Sequence, residues 1–297
     1  MIEVCALSDY NYLAKGLTLY DSLIRHTPKI RMHYLCLDDK SFEVMSKIQK
    51  ETPDTLKVYK DDLLEDPERR ETLNNLKADE HKYYCWALAS YFTDYLMRNS
   101  IGDITYIDSD IYFYDDLNIL IDEIGDKEVG IFRHRQYPLN IDNPNGRFNV
   151  GVVHFKSKRM GQSALSWWAD AVLNKKYPHL ATCGDQKYLD AFLQIPKEKL
   201  FIEGNIGHGA PWQWQMFDYT DFFKDHSIIW EDKKQKLLFS HFSEFSYNIS
   251  EDSYVCSTRH HCFTPLQMYE EIDALKTIHA DYYKEIKHVV QKYNLEV

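Results

Sequence analysis

Apolar residues gather in short runs rich in β-branched and aromatic side chains at 2–7, 32–37, 56–59, 104–107, 129–132, 148–155, 228–230 and 237–239. Runs of this length and composition predict strands. Between them the apolar positions recur every three or four residues over 12–25, 41–51, 83–97, 161–173 and 186–193, the period of one helix face. Strand and helix alternating at this spacing predict an α/β fold with a mostly parallel sheet flanked by helices. Ligands of such sheets sit beyond the carboxyl ends of the strands, so the residues just after each strand are the candidates for chemistry. Near the end of the chain, Tyr269, Ile272, Leu275, Ile278, Tyr282, Ile286, Val289 and Tyr293 keep the helical period. They predict one helix over 266–293, docked on the main body. Its other face mixes acids with lysines, a poor match to a membrane-surface helix. No Pro-, Gly- or Ser-rich linker interrupts the chain and no repeat is found, which divides it into a main body, 1–250, and a C-terminal helical extension, 251–297.

Of 297 residues, 44% are hydrophobic and 27% charged, enough apolar material for a sizeable core. Disorder is excluded as the main state. Forty-six acids against 35 lysines and arginines give a net charge of −11, and no stretch concentrates enough positive charge to track a nucleic acid or an anionic membrane. The start of the chain has no basic segment, and no apolar run approaches the roughly 18 residues of a membrane span. A soluble, cytoplasmic protein is expected. The six cysteines form no Cys-x-x-Cys pair and are expected to be reduced. With 22 Tyr, 15 Phe and six Trp, aromatics can serve both the core and a cleft for sugar or base rings.

The sharpest candidate is 104–113, an apolar strand that runs into Asp108-Ser109-Asp110. Alternate residues of an extended segment point the same way, so both carboxylates can aim at one point. Such hard oxygen ligands suit Mn²⁺ or Mg²⁺, and the metal can stabilise a departing diphosphate. A solvated turn is the plainer reading of the tripeptide alone. Further along, Phe148-Asn149-Val150-Gly151 sits in a strand, Gly184-Asp185-Gln186 opens a helix, and Leu237 leads a strand ending on His241. Each has a structural alternative: Asn149 satisfying a bulge, Asp185 as an N-cap, His241 as a core histidine.

With these residues in this order, the sequence resembles the metal-dependent nucleotide-sugar glycosyltransferases of the GT-A fold. Among them it looks most like the retaining group that includes glycogenin and bacterial lipopolysaccharide galactosyltransferases, with similar bacterial surface-polysaccharide transferases. The resemblance runs from the first strand to His241. It implies a Rossmann-like mixed sheet and a hexosyltransferase-like activity with Mn²⁺ or Mg²⁺, moving a sugar from a nucleoside-diphosphate sugar, UDP being usual, to a glycan or lipid-linked acceptor in polysaccharide biosynthesis. A lipid-linked acceptor would draw the enzyme to the cytoplasmic membrane face. The resemblance further implies that Ala6, Ser8, Asp9 and Tyr12 hold the base and ribose, and that Asp108 and Asp110, with Ser109 between them, hold metal and nucleotide. Asn149 would line the sugar site, Asp185 and Gln186 would lie near the anomeric carbon, and His241 would be the third metal ligand. The chain departs from the group in two places: no Gly-x-x-Lys-Pro-Trp segment follows His241, and Ala89 stands where a basic or polar residue often faces the nucleotide. Lys82 is a substitute for the latter, and Arg259, His260 or His261 for the missing phosphate cation.

Looser candidates are Arg133-His134-Arg135, cations on the ligand side of a strand, and Trp212 and Trp214, whose indoles suit stacking on sugar. Cys256 to Cys262 with His260 and His261 match no familiar zinc spacing. Two other functions compete. Haloacid-dehalogenase-type phosphohydrolases also carry Asp-x-Asp after a strand, but early in the chain and followed by small residues, unlike Ile111-Tyr112-Phe113 here. A catalytically impaired nucleotide-sugar-binding protein would share all the binding residues.

Overall fold

The computed structural model describes residues 1–63, 67–135, 145–257 and 264–296. Arg259, His260, His261 and Cys262 lie outside the described residues. The strands are β1 (Ile2–Ser8), β2 (Ile30–Cys36), β3 (Leu56–Lys60), β4 (Ile104–Ile107), β5 (Ile111–Phe113), β6 (Val129–Arg133), β7 (Phe148–Phe155), β8 (Leu200–Ile202), β9 (Gly207–Gly209), β10 (Ser227–Trp230), β11 (Lys233–His241), β12 (Ser246–Asn248) and β13 (Ser253–Val255). The α-helices are α1 (Leu13–His26), α2 (Asp39–Glu51), α3 (Pro67–Asp79), α4 (His81–Arg98), α5 (Asn118–Ile124), α6 (Arg159–Leu173), α7 (Phe222–Asp225), α8 (Leu266–Glu271) and α9 (Asp273–Lys292).

A large sheet in the order β3-β2-β1-β4-β7-β6-β8 forms the spine. Its β3-β2-β1-β4 half is parallel, and β7 runs antiparallel between β4 and β6. Val4, Cys5 and Ala6 in β1 and Tyr34, Leu35 and Cys36 in β2 are fully buried, as expected of parallel strands covered on both faces. One face carries α4 and α6. The other carries α1, α9 and a smaller sheet of β10, β11 and β5, with β9 alongside β11. Helix starts follow local chemistry: Asp38 caps α2 by accepting from the Ser41 amide at 2.7 Å, and Asp9 accepts from the Tyr12 amide at 3.1 Å in the tight turn before α1.

Three expectations change. The stretch 104–113 is two strands in two different sheets, because the Ile111 amide bonds back to the Asp108 carbonyl at 3.1 Å and makes Asp108–Ile111 a turn. The C-terminal run 266–293 is two helices, α8 and α9. Ile272 between them is extended, with φ −95° and ψ 107°, and Asp273 begins α9, where an acid suits the helix dipole. The helix expected over 186–193 is wound as a 3₁₀ helix, Gln186–Gln194. The docking of the C-terminal helix on the main body is observed: Tyr282 of α9 stacks on Phe242 at 3.6 Å with 7° between the planes.

Candidate active site

The turn between β4 and β5 lies on the seam of the two sheets. On one side the Asp108 amide donates to the Gly151 carbonyl of β7 at 2.9 Å. On the other, β5 pairs with β11 in a register that sets His241 opposite Ile111, and the Phe242 amide donates to the Asp110 carbonyl at 2.8 Å. Backbone hydrogen bonding alone therefore brings a residue near position 240 to within one residue of the acidic turn. The side chains of Asp108, Asp110 and His241 converge, with their ligand atoms all within 4.8 Å of one another. His241 Nε2 lies 3.0 Å from Asp110 Oδ1 and 3.8 Å from Asp108 Oδ2. The two carboxylates converge through a turn rather than through the extended alternation that the sequence suggested.

The electrostatics of this cluster are those of an incomplete site. Burial opposes the Asp110 carboxylate, but the charge and hydrogen bond of His241 outweigh it and hold its pKa down at about 2. For Asp108 burial wins: with Asp110 alongside, its pKa is raised despite His241. Burial disfavours the His241 imidazolium, yet the two carboxylates raise its pKa above the ordinary value. Two acids thus share one proton-bearing nitrogen, a place where a divalent cation would balance the charge better than a proton. The residues fit such an ion, with two oxygen donors and one imidazole.

Asn149 decides which nitrogen of His241 is available. Its Oδ1 accepts from the Gly151 amide at 2.9 Å and faces His241 Nδ1 at 3.2 Å. An oxygen there requires Nδ1 to carry the hydrogen of the neutral ring, which leaves the Nε2 lone pair toward the carboxylates. Gly151 is required by this contact, since a Cβ would stand 2.7 Å from both Asn149 Oδ1 and His241 Nδ1. The other end of Asn149 donates to Gln186 Oε1 at 2.9 Å, and Gln186 Nε2 donates to the Asn145 carbonyl at 2.8 Å. Asn149 orients the histidine and, through the Gly151 amide, satisfies the backbone as its structural alternative foresaw, and Gln186 belongs to the same chain of bonds.

Asp185 occupies the N-cap position of the 3₁₀ helix that follows it, without a side-chain cap hydrogen bond. It is buried, its carboxyl is pushed well up by burial and then by the Asp108 charge, and its carbonyl accepts from Trp168 Nε1 at 3.0 Å. Gly184 just before it has φ +52°, and a side chain there would strike the Trp86 ring.

The remaining candidates divide. Trp212 is at the site, its ring 5.2 Å from His241 and 4.6 Å from His134, whereas Trp214 is buried in the core against Phe217 and His279. Ala6 is fully buried. Ser8 donates to the Asp9 carbonyl and is bonded to the Tyr34 hydroxyl at 2.6 Å, so of the four candidates Ala6, Ser8, Asp9 and Tyr12 it is Asp9 and Tyr12 that reach the surface. Ser109 uses its hydroxyl to tie the acidic turn to the Leu7 carbonyl at 2.7 Å. Lys82 lies over the Trp86 ring at 4.9 Å, and Ala89 is a buried residue of α4. Arg133-His134-Arg135 is not a cluster of free cations: both arginines pair with Glu203, and burial drives the His134 pKa down to about 3.

Two residues of this region were not singled out beforehand. The Tyr106 hydroxyl donates to Asp108 Oδ1 at 2.7 Å, a contact hidden in an ordinary apolar strand. Lys15 is 5% exposed on α1, and its charge acts on Asp110. Its signal was available, as a lone cation inside Leu13-Ala14-Lys15-Gly16-Leu17.

A mostly parallel sheet whose central strand ends on an Asp-x-Asp turn, with a histidine brought to it from a second sheet, is the arrangement of the GT-A glycosyltransferases. The model of glycosyl transferase family 8 matches residues 3–242, and the chain belongs to that family. Its fold is similar to that of the galactosyltransferase LgtC solved with donor and acceptor sugar analogues, with a TM-score of 0.58 at 14% identity over 97% of this chain and 96% of that one. Mouse xyloside xylosyltransferase 1 gives a TM-score of 0.53 at 17% identity, covering 82% of this chain and 97% of that one. Among curated sequences, the uncharacterized protein YfnF of Bacillus subtilis (strain 168) is 27% identical over 81% of this chain and 80% of its own. The protein is a glycosyltransferase. Among the described residues no helix is long and apolar enough to cross a membrane.

Proposed function

We propose that the protein transfers a sugar, with retention of configuration, from a UDP-sugar to a glycan or lipid-linked acceptor in polysaccharide biosynthesis, with Mn²⁺ or Mg²⁺ as cofactor. The observation that carries this reading is the convergence of Asp108, Asp110 and His241 with the Asn149–Gln186 chain in a family 8 glycosyltransferase. A divalent cation on these three side chains would stabilise the negative charge that develops on the departing diphosphate. Residues 1–250 form the nucleotide-sugar-binding catalytic domain and 251–297 the extension that supports it.

In this reading Asp9 and Tyr12 receive the nucleoside, and Asp185 and Gln186 lie against the donor sugar. The bond from the anomeric carbon to the diphosphate oxygen breaks while the acceptor oxygen bonds to the same face of that carbon. The acceptor's proton passes to the departing phosphate oxygen. Asn149 keeps His241 oriented, and Trp212 walls the cleft against water. A lipid-linked acceptor would bring the enzyme to the cytoplasmic membrane face.

The test is thermal unfolding with Mn²⁺ and a panel of nucleoside diphosphates and nucleotide sugars, alongside Asp110→Ala. A ligand bound only by the native state at a hundredfold excess over its Kd stabilises by about 2.7 kcal/mol. A shift requiring both metal and one nucleotide, absent in the variant, is expected. No shift with any nucleotide would overturn the reading.

A further inference from the structure

We propose that Lys15 is the cation that binds the diphosphate of the donor, an assignment that rests on the nucleoside-diphosphate reading above. Lys15 lies in the first turn of α1 and is 5% exposed. A buried ammonium is costly unless its charge is answered. Among the described residues, however, Lys15 makes no ion pair within 4 Å. Its Nζ donates one hydrogen bond, to the Phe245 carbonyl at 2.8 Å, and lies over the Tyr12 ring at 4.5 Å. An ammonium has three donors, so one carbonyl and one ring face leave it under-satisfied. The nearest anionic influences are Asp110 and Glu244, neither within pairing distance.

Its position explains what would complete it. Lys15 Nζ lies over the ring of Tyr12, which is 47% exposed beside the Asp9 turn, and its charge acts on the Asp110 carboxylate. A ligand with a nucleoside at Asp9 and Tyr12 and an anion on a cation held by Asp110 would carry its diphosphate within the influence of Lys15. Charge gives the same answer. A divalent ion held by Asp108 and Asp110 would be matched in charge by those two carboxylates, so the diphosphate would enter with its own charge still unbalanced. Among the described residues the other basic candidates do not serve, because Arg133 and Arg135 are paired with Glu203 and His134 is held neutral by burial. Lys15 supplies the missing charge from the N-terminal helix, and through Phe245 it is tied to the loop after His241.

The experiment compares Kd values of UMP and UDP in saturating Mn²⁺ for the native protein, Lys15→Met and Lys15→Gln. Met keeps the length of the side chain and loses the charge; Gln loses the charge but keeps a donor for the Phe245 carbonyl, which covers the case where Met impairs folding. Losing a charge-assisted hydrogen bond to phosphate is expected to weaken UDP by about 10- to 100-fold in both, with UMP and Mn²⁺ binding within about twofold of native on the same basis. If the variants keep the native preference for UDP over UMP, or lose UMP, UDP and metal together, Lys15 only anchors the loop and the assignment falls. If the native protein itself binds no nucleoside diphosphate with metal, the functional reading falls and takes the assignment with it.

Discussion

Two buried polar clusters in this protein look alike in composition and differ in purpose. Asp108, Asp110 and His241 meet at the seam of the sheets; Glu203, Arg133, Arg135 and His208 meet beyond the end of β6. In the second, Glu203 Oε1 accepts from Arg133 Nη1 at 3.0 Å and Oε2 from Arg135 Nε at 3.2 Å, while Arg135 also lies 3.7 Å over the Trp230 ring. Burial opposes the Glu203 carboxylate, but His208 and Arg135 outweigh it and hold its pKa at about 2. Every charge there has a partner. At the seam, two carboxylates face one imidazole and a lysine out of reach, and the pKa values of Asp108 and Asp110 move in opposite directions. A buried cluster balanced within itself is architecture, whereas one left short of positive charge awaits a ligand.

This contrast can be broken most decisively at Asp110. Asp110→Ala should lower sugar transfer or donor hydrolysis by about 10³-fold or more and abolish Mn²⁺ binding. Near-native turnover would remove the site from the seam. Glu203→Gln should do the reverse, costing about 3–5 kcal/mol of stability by stranding Arg135, with Mn²⁺ affinity little changed. The pH dependence sharpens this second test. Glu203 has a depressed folded pKa, so below about 4.3 the unfolded chain takes up a proton that the native state refuses until about 2. Its contribution is complete above that window and lost through it, and the stability gap between native and variant protein should close as pH falls across it.

A smaller effect is expected at Asn149, which touches the histidine and no carboxylate. Asn149→Ala should weaken Mn²⁺ binding by about 10- to 100-fold, measured by calorimetric titration, and an unchanged affinity would deprive it of the orienting role. The smallest concerns two buried histidines that belong to neither cluster. Burial lowers the pKa of His154 and of His279 to about 4, and each has an Nε2 without a partner. As pH drops from about 6.5 the unfolded state binds the extra protons, so each should remove up to about 1.4 kcal/mol of stability per pH unit. His279→Phe should lessen that slope in denaturant titrations at pH 6 and 5.

What the sequence disclosed follows from how far apart the interacting residues lie. The acidic turn, Asn149, Gln186 and His241 each sit in or at the end of a strand or helix whose local pattern is strong, so their candidacy was legible. Lys15 and Phe245 are 230 positions apart, and Arg135 and Glu203 are 68 apart; no local period announces such pairs. A short strand was equally silent: β9 has three residues and exists because β11 pairs with it. Helix α3 was missed because its sequence, from Pro67 to Asp79, is too polar to show an apolar face. The resemblance to the GT-A transferases supplied the roles that pattern alone could not, while the turn geometry and the partners of Arg133 and Arg135 needed coordinates.

The stack of Phe242 on Tyr282 ties the order of synthesis to the order of assembly. The strand that delivers His241 emerges from the ribosome well before the helix that backs the next residue. Until translation has passed Tyr282, Phe242 lacks that aromatic neighbour, and the histidine loop lacks part of its floor. The acidic turn and its parallel sheet can therefore form early, while the complete Asp-Asp-His group is a late event in the life of the chain. A nascent polypeptide halted between the two would present the acids without a settled histidine.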